Sequence, residues 1–159
     1  MADRSALHVT FTIDRACPAP PAQVFACFVD PGVKARWQDS AETEVVDDTS
    51  DYLEFDFRVG GHERFAFAVH GVTYSYDAEY FDIVPDERIV YGYTMHADGR
   101  SDSLSTVTIE LAKDGTGTVL TYTEQGVFLD SIDDPADRER GTAELLDNLT
   151  HYLARRSAS

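Results

Sequence analysis

Alternation of apolar and polar positions dominates this chain. Leu7, Val9, Phe11 and Ile13 share one parity and are separated by His8, Thr10 and Thr12, the two-residue period of a strand with one buried face. From about Ala41 to Phe128 the same period continues almost unbroken, and it predicts strands near 41–47, 51–59, 62–70, 72–84, 88–97, 103–112 and 118–126. Gly60-Gly61, His70-Gly71, Pro85-Asp86, Asp98-Gly99 and Asp114-Gly115 fall between these runs. Connections so short join antiparallel neighbours, not parallel strands linked by helical crossovers. Within this meander, FDFRVGGHERF at 55–65 reads as a hairpin: Phe55, Phe57 and Val59 lie on one face, Phe65 and Phe67 continue it, and the glycine pair supplies a tight reversal.

Two regions depart from the strand period. In 17–37, Pro20-Pro21 opens one short helix and Asp30-Pro31 resembles an N-cap and first helical position for a second, with Val24, Phe25, Phe28 and Val33 facing a core that Trp37 closes at one end. In 133–156, Asp134, Pro135 and Asp137 mark the start of a long helix, Leu145, Leu146, Leu149, Tyr152 and Leu153 form its apolar stripe, and Arg155 and Arg156 complement its C-terminal dipole. Gly141 interrupts that helix at a cost of about 1 kcal/mol relative to alanine. Close packing against the sheet is the expected reason, room for a ligand the other. The order is therefore strand, two short helices, a long meander and one amphipathic helix, which predicts an α+β helix-grip fold: a curved antiparallel sheet wrapped around the last helix, with a space between them.

Composition narrows what such a domain would do. A length of 159 residues suits one domain over 1–159, with its core at about 7–155. No stretch approaches the roughly 20 apolar residues of a membrane span, and no leading apolar run follows a basic start, so a cytoplasmic location is expected. A formal charge of −16 repels a phosphate backbone, which excludes nucleic acid as the expected partner. Cys17 and Cys27 lack zinc-finger or CxxC spacing and read as reduced, apolar side chains. His8, His62, His70, His96 and His151 are scattered without metal-ligand spacing, and the GTG at 115–117 is a turn between strands, so neither a metal nor another cofactor is expected. Ser101, Ser103 and Ser105 have no nucleophile context and read as strand residues.

The candidate chemistry lies on the inner face of the sheet. Glu124 shares parity with Leu120 and Tyr122 and points to the concave side, where a desolvated carboxyl could serve as proton donor or base, or be held by a tyrosine or by Arg64 or Arg88. Phe55, Phe57, Phe65, Phe67, Tyr91, Tyr93 and Tyr122, with Trp37, fit the wall of a pocket for a mostly apolar ligand, and Leu145 and Leu149 would face them from the helix. An ordinary core would use the same residues.

Five segments in this order, APPAQVFACFVDPGVKARW at 19–37, FDFRVGGHERF at 55–65, YFDIVPDERIVYGYTM at 80–95, GTGTVLTYTEQGVF at 115–128 and RERGTAELLDNLTHYL at 138–153, resemble the SRPBCC, or START-like, superfamily. Within it they resemble the activator of heat-shock-protein-90 ATPase homologue family. The resemblance implies a helix-grip fold with an internal pocket, in a superfamily that binds lipids, hormones or polyketides and in which a few members catalyse ring closure or hydrolysis; it carries over no fixed catalytic set. Relatives often have a longer glycine-rich stretch after the tryptophan, whereas QDSAETEVVDD follows Trp37 here, so a different pocket entrance is expected. The leading expectation is a small cytoplasmic protein that binds an apolar or aromatic small molecule. One alternative is a polyketide-cyclase-like or hydrolase-like enzyme using Glu124 as acid and base. Another is an interaction or chaperone-associated module with an acidic outer surface, and a homodimer through edge strands is compatible with any of these.

Overall fold

The computed structural model describes residues 4–38, 44–45 and 53–157. Strand β1 (Ala6–Cys17) is followed by helices α1 (Pro21–Val29) and α2 (Pro31–Gln38), then strands β2 (Glu44–Val45), β3 (Glu54–Phe55), β4 (His62–Val69), β5 (Val72–Val84), β6 (Arg88–Ala97), β7 (Arg100–Asp114) and β8 (Gly117–Leu129), and helix α3 (Pro135–Ser157). All strand pairs are antiparallel, in the order β1-β8-β7-β6-β5-β4-β2, with β3 also pairing to β4. The predicted strand at 41–47 survives in the described residues as Glu44–Val45, and its remainder lies outside them, as does most of the stretch expected to shape a pocket entrance.

Two of the three expected helix starts are built from aspartate. Asp30 Oδ1 accepts from the backbone N–H groups of Gly32 and Val33 at 2.8 and 3.2 Å, and Asp134 Oδ1 accepts from Ala136 at 2.9 Å. Each satisfies amides that the first helical turn leaves without partners. Tight hairpin turns place His70, Asp86 and Asp98 at positive φ, two of them followed by a positive-φ glycine.

The FDFRVGGHERF hairpin differs from its predicted form. Pairing of β3 with β4 stops at Phe55–Glu63, and residues 56–61 form a broad loop instead of a two-residue reversal. Gly60 has φ +84°, and a Cβ on Gly61 would collide with the Asp56 carbonyl oxygen. The loop docks on β5, where Gly60 N–H donates to the Tyr80 carbonyl and Tyr80 N–H donates to that of Gly61. Val59 therefore leaves the expected apolar face and is 57% exposed.

The core lies between the concave face of the sheet and the helices. Register fixes that face: Phe65 opposes Tyr76, Tyr76 opposes Met95, Tyr93 opposes Ser105, and Val107 opposes Glu124, which opposes Phe11. Helix α3 packs on β1 and α2 through Leu146, Leu149, Tyr152 and Leu153, all buried. Trp37 is buried with its ring edge-on to Phe28 at 5.3 Å and its indole N–H donating to the Cys27 carbonyl at 3.0 Å. Cys17 and Cys27 are buried free thiols, and burial pushes both pKa values up to about 11.

Candidate functional site

Glu124 lies midway along β8, one strand in from the sheet edge, and is 1% exposed. Three hydroxyls donate to it: Tyr122 to Oε1 at 2.9 Å, and Tyr93 and Ser105 to Oε2 at 2.7 and 2.8 Å. The Ser105 contact depends on the residue across the strand pair. Gly126 faces Ser105 in register, and any Cβ there would collide with the serine hydroxyl. A desolvated carboxylate is tolerated where hydrogen bonds and a cation replace its water. The cation is Arg138, whose Nη1 donates to Tyr93 at 2.9 Å and lies 3.7 Å from Glu124. Arg64 and Arg88, the partners considered from sequence, instead pair with Glu54 and Asp77 and with Asp82. Both oxygens of Glu124 are engaged, so proton exchange with a bound molecule would first require a hydroxyl to leave.

Arg138 carries the network onward. Its Nη2 donates to Asp102 at 3.2 Å and Ser103 at 3.0 Å, and its guanidinium lies over the Phe128 ring at 4.8 Å. Asp102 faces inward because the pairing of β6 and β7 slips at this point: Met95 pairs with Ser103 and His96 with Ser101, leaving Asp102 as the extra residue of a bulge. It is fully buried, and its Oδ1 has no donor from the described residues. Burial first, then a hydrogen bond to Asp133 and its charge, push the Asp102 pKa up to about 7, with Arg138 opposing the shift. Two carboxyls meet there, and only a retained proton supplies a donor between them. Asp133 also accepts from Tyr74 at 3.0 Å, so the chain of contacts runs from β5 to β8 through the start of α3.

A second buried group occupies the α2 side. Lys34 Nζ contacts both Glu63 oxygens, at 2.9 and 2.7 Å, and the Tyr80 hydroxyl donates to Glu63 at 2.8 Å. Phe55 lies 5.8 Å from the same ammonium. Sequence reading missed Lys34, Glu63, Asp102 and Arg138. Inner parity with Phe65 was the signal that could have found Glu63, whereas the other three depend on contacts between distant segments.

The proposed aromatic wall is brought together in part. Tyr91 and Tyr93 are 6.3 Å apart, Tyr91 meets Tyr80 at 5.9 Å, Tyr80 meets Phe57 at 4.9 Å, and Phe65 and Phe67 stack on Tyr76 and Tyr74 at 4.6 and 5.3 Å. Phe55 belongs to the Lys34 side, and Trp37 contacts Phe28 between the short helices. Leu149 is fully buried, while Leu145 lies at the edge of the core. Phe65, Phe67, Tyr74, Tyr76 and Tyr91 keep accessible surface. Tyr76 and Tyr91 do so although burial raises their hydroxyl pKa values well above the usual range.

Gly141 is not closely packed, contrary to expectation. A Cβ there would meet no atom within 4 Å. At 100° per residue it lies on the flank of α3 next to Leu145 and one turn from Arg138. An open groove of about 440 Å³ runs along the other flank, between β1 and α3, past Thr12, Asp14, Arg15, Glu139 and Arg140. Arg15 and Arg140 there are already paired with Asp147 and Asp137, and the groove has none of the inner-face chemistry.

The fold and sequence both have known relatives. A protein from Rhizobium leguminosarum shares 40% identity and a TM-score of 0.86, covering 96% of this chain and 98% of its own. Mll3558 from Rhizobium loti shares 43% identity and a TM-score of 0.81, with coverages of 92% and 98%. CV1439 from Chromobacterium violaceum shares 27% identity and a TM-score of 0.75, with coverages of 91% and 96%. No curated protein matches. The family model described as Activator of Hsp90 ATPase homolog 1-like protein matches residues 18–154. With its curved antiparallel sheet gripping α3, the chain belongs to that family and has its START-like, SRPBCC-type fold.

Proposed function

We propose that this protein binds a small, largely apolar aromatic molecule in the cleft between the concave sheet face and α3. The carrying observation is the row Phe65, Phe67, Tyr74, Tyr76 and Tyr91, inner-face rings that keep accessible surface beside a polar cluster. Ligand sites combine such walls with a few placed polar groups. Gly141 supports the same reading, because open space beside a helix interior explains a residue that helix propensity disfavours. The role is that of a carrier or sensor in the cytoplasm, where the two buried free thiols remain reduced.

Native mass spectrometry of gently purified protein, compared with its denatured mass, is expected to reveal a retained small molecule. A panel of neutral aromatic probes is expected to raise the melting temperature, and Gly141→Leu should weaken that effect by crowding the cleft. If no mass is retained and no probe shifts the melting temperature, the reading fails.

A further inference from the structure

The tyrosines of the core are almost all committed. Tyr74 donates to Asp133, Tyr80 to Glu63, and Tyr93 and Tyr122 to Glu124; Tyr91 is hydrogen-bonded to Tyr122, and Tyr152 accepts from Arg156. Tyr76 is the exception: among the described residues its hydroxyl has no partner. Its ring is held, stacked on Phe65 at 4.6 Å and 24° and tilted against Tyr93 at 4.9 Å. It is not sealed. Among the described residues the sealed side-chain polar atom without a partner is Asp102 Oδ1, whereas Tyr76 keeps accessible surface.

A phenol hydroxyl that no side chain pairs is free to donate to an acceptor on a molecule packed against the neighbouring rings. Burial keeps the phenol protonated, so it offers a donor. Glu63 and the other phenols near it disfavour a negatively charged acceptor, which leaves a neutral oxygen. We infer that the Tyr76 hydroxyl anchors the ligand by donating a hydrogen bond to a neutral carbonyl oxygen on an aromatic frame, the adjoining rings taking the hydrocarbon part. The inference rests on the cleft reading above and adds the chemical class of its occupant.

The test uses 2-acetylnaphthalene and 2-ethylnaphthalene, which share a ring system and nearly a size but differ in the carbonyl, titrated calorimetrically into wild-type protein and Tyr76→Phe. Wild type is expected to bind the ketone about tenfold more tightly, the worth of one hydrogen bond. In Tyr76→Phe that preference should vanish, with affinity for the hydrocarbon and the melting temperature unchanged. A wild type that binds both probes equally, or a preference that survives in Tyr76→Phe, overturns the anchor while leaving the cleft standing. Failure of both probes to bind wild type overturns the cleft reading and the anchor with it.

Discussion

Removing a lysine and a glutamate from water costs several kcal/mol per ion, and the Lys34–Glu63 pair offsets this through two short contacts and the Tyr80 hydroxyl. Lys34→Met strands the carboxylate and should lower unfolding free energy by about 3–5 kcal/mol. Adding Glu63→Gln should restore much of that loss in urea unfolding, and a double variant no better than the single would contradict the account. Asp102 makes a pH prediction. Its folded pKa, about 7, lies above the roughly 3.9 expected when unfolded, so the native state binds more protons between those values. The stability it contributes is present at low pH and is lost as pH rises through about 7. Unfolding curves at pH 5 and pH 8 should therefore show a larger loss for wild type than for Asp102→Asn, whose amide donates to Asp133 at either pH. Equal losses would show that Asp102 does not retain its proton. The bulge in β7 turns Asp102 inward, whereas Leu104, two residues on, is exposed.

At the level of elements, α3 is held at both ends by different means: a leucine stripe over its C-terminal half, and Arg138 reaching Tyr93, Asp102 and Ser103 near its start. Gly141 lies between them with free space beside it, so Gly141→Ala should raise unfolding free energy by about 1 kcal/mol through helix propensity alone. A destabilised variant would mean that the helix needs the glycine for packing. Caps and the stripe of α3 were legible because they follow local rules of spacing and amide satisfaction. The β3–β4 connection was not: Gly60-Gly61 suggested a tight turn, but its geometry is set by hydrogen bonds to Tyr80, twenty residues away in sequence.

For the whole molecule, 29 acidic against 13 basic residues make self-repulsion a general destabilising force. Raising sodium chloride from about 0.02 M to about 0.5 M shortens the screening length well below the protein's diameter, and the melting temperature should rise. A fall would indicate that attractive surface pairs outweigh repulsion. The succession of strands and helices along the chain and the inward direction of Glu124 were determined by the sequence itself, since two-residue and 3.6-residue periods act over neighbouring residues. Only the tertiary structure decided that Arg138 would be the cation beside Glu124, that Lys34 would meet Glu63, that a bulge would bury Asp102, and that Tyr76 would keep a free hydroxyl. Each depends on chain segments far apart in sequence meeting at hydrogen-bond distance, and local periodicity contains no information about which distant partner arrives.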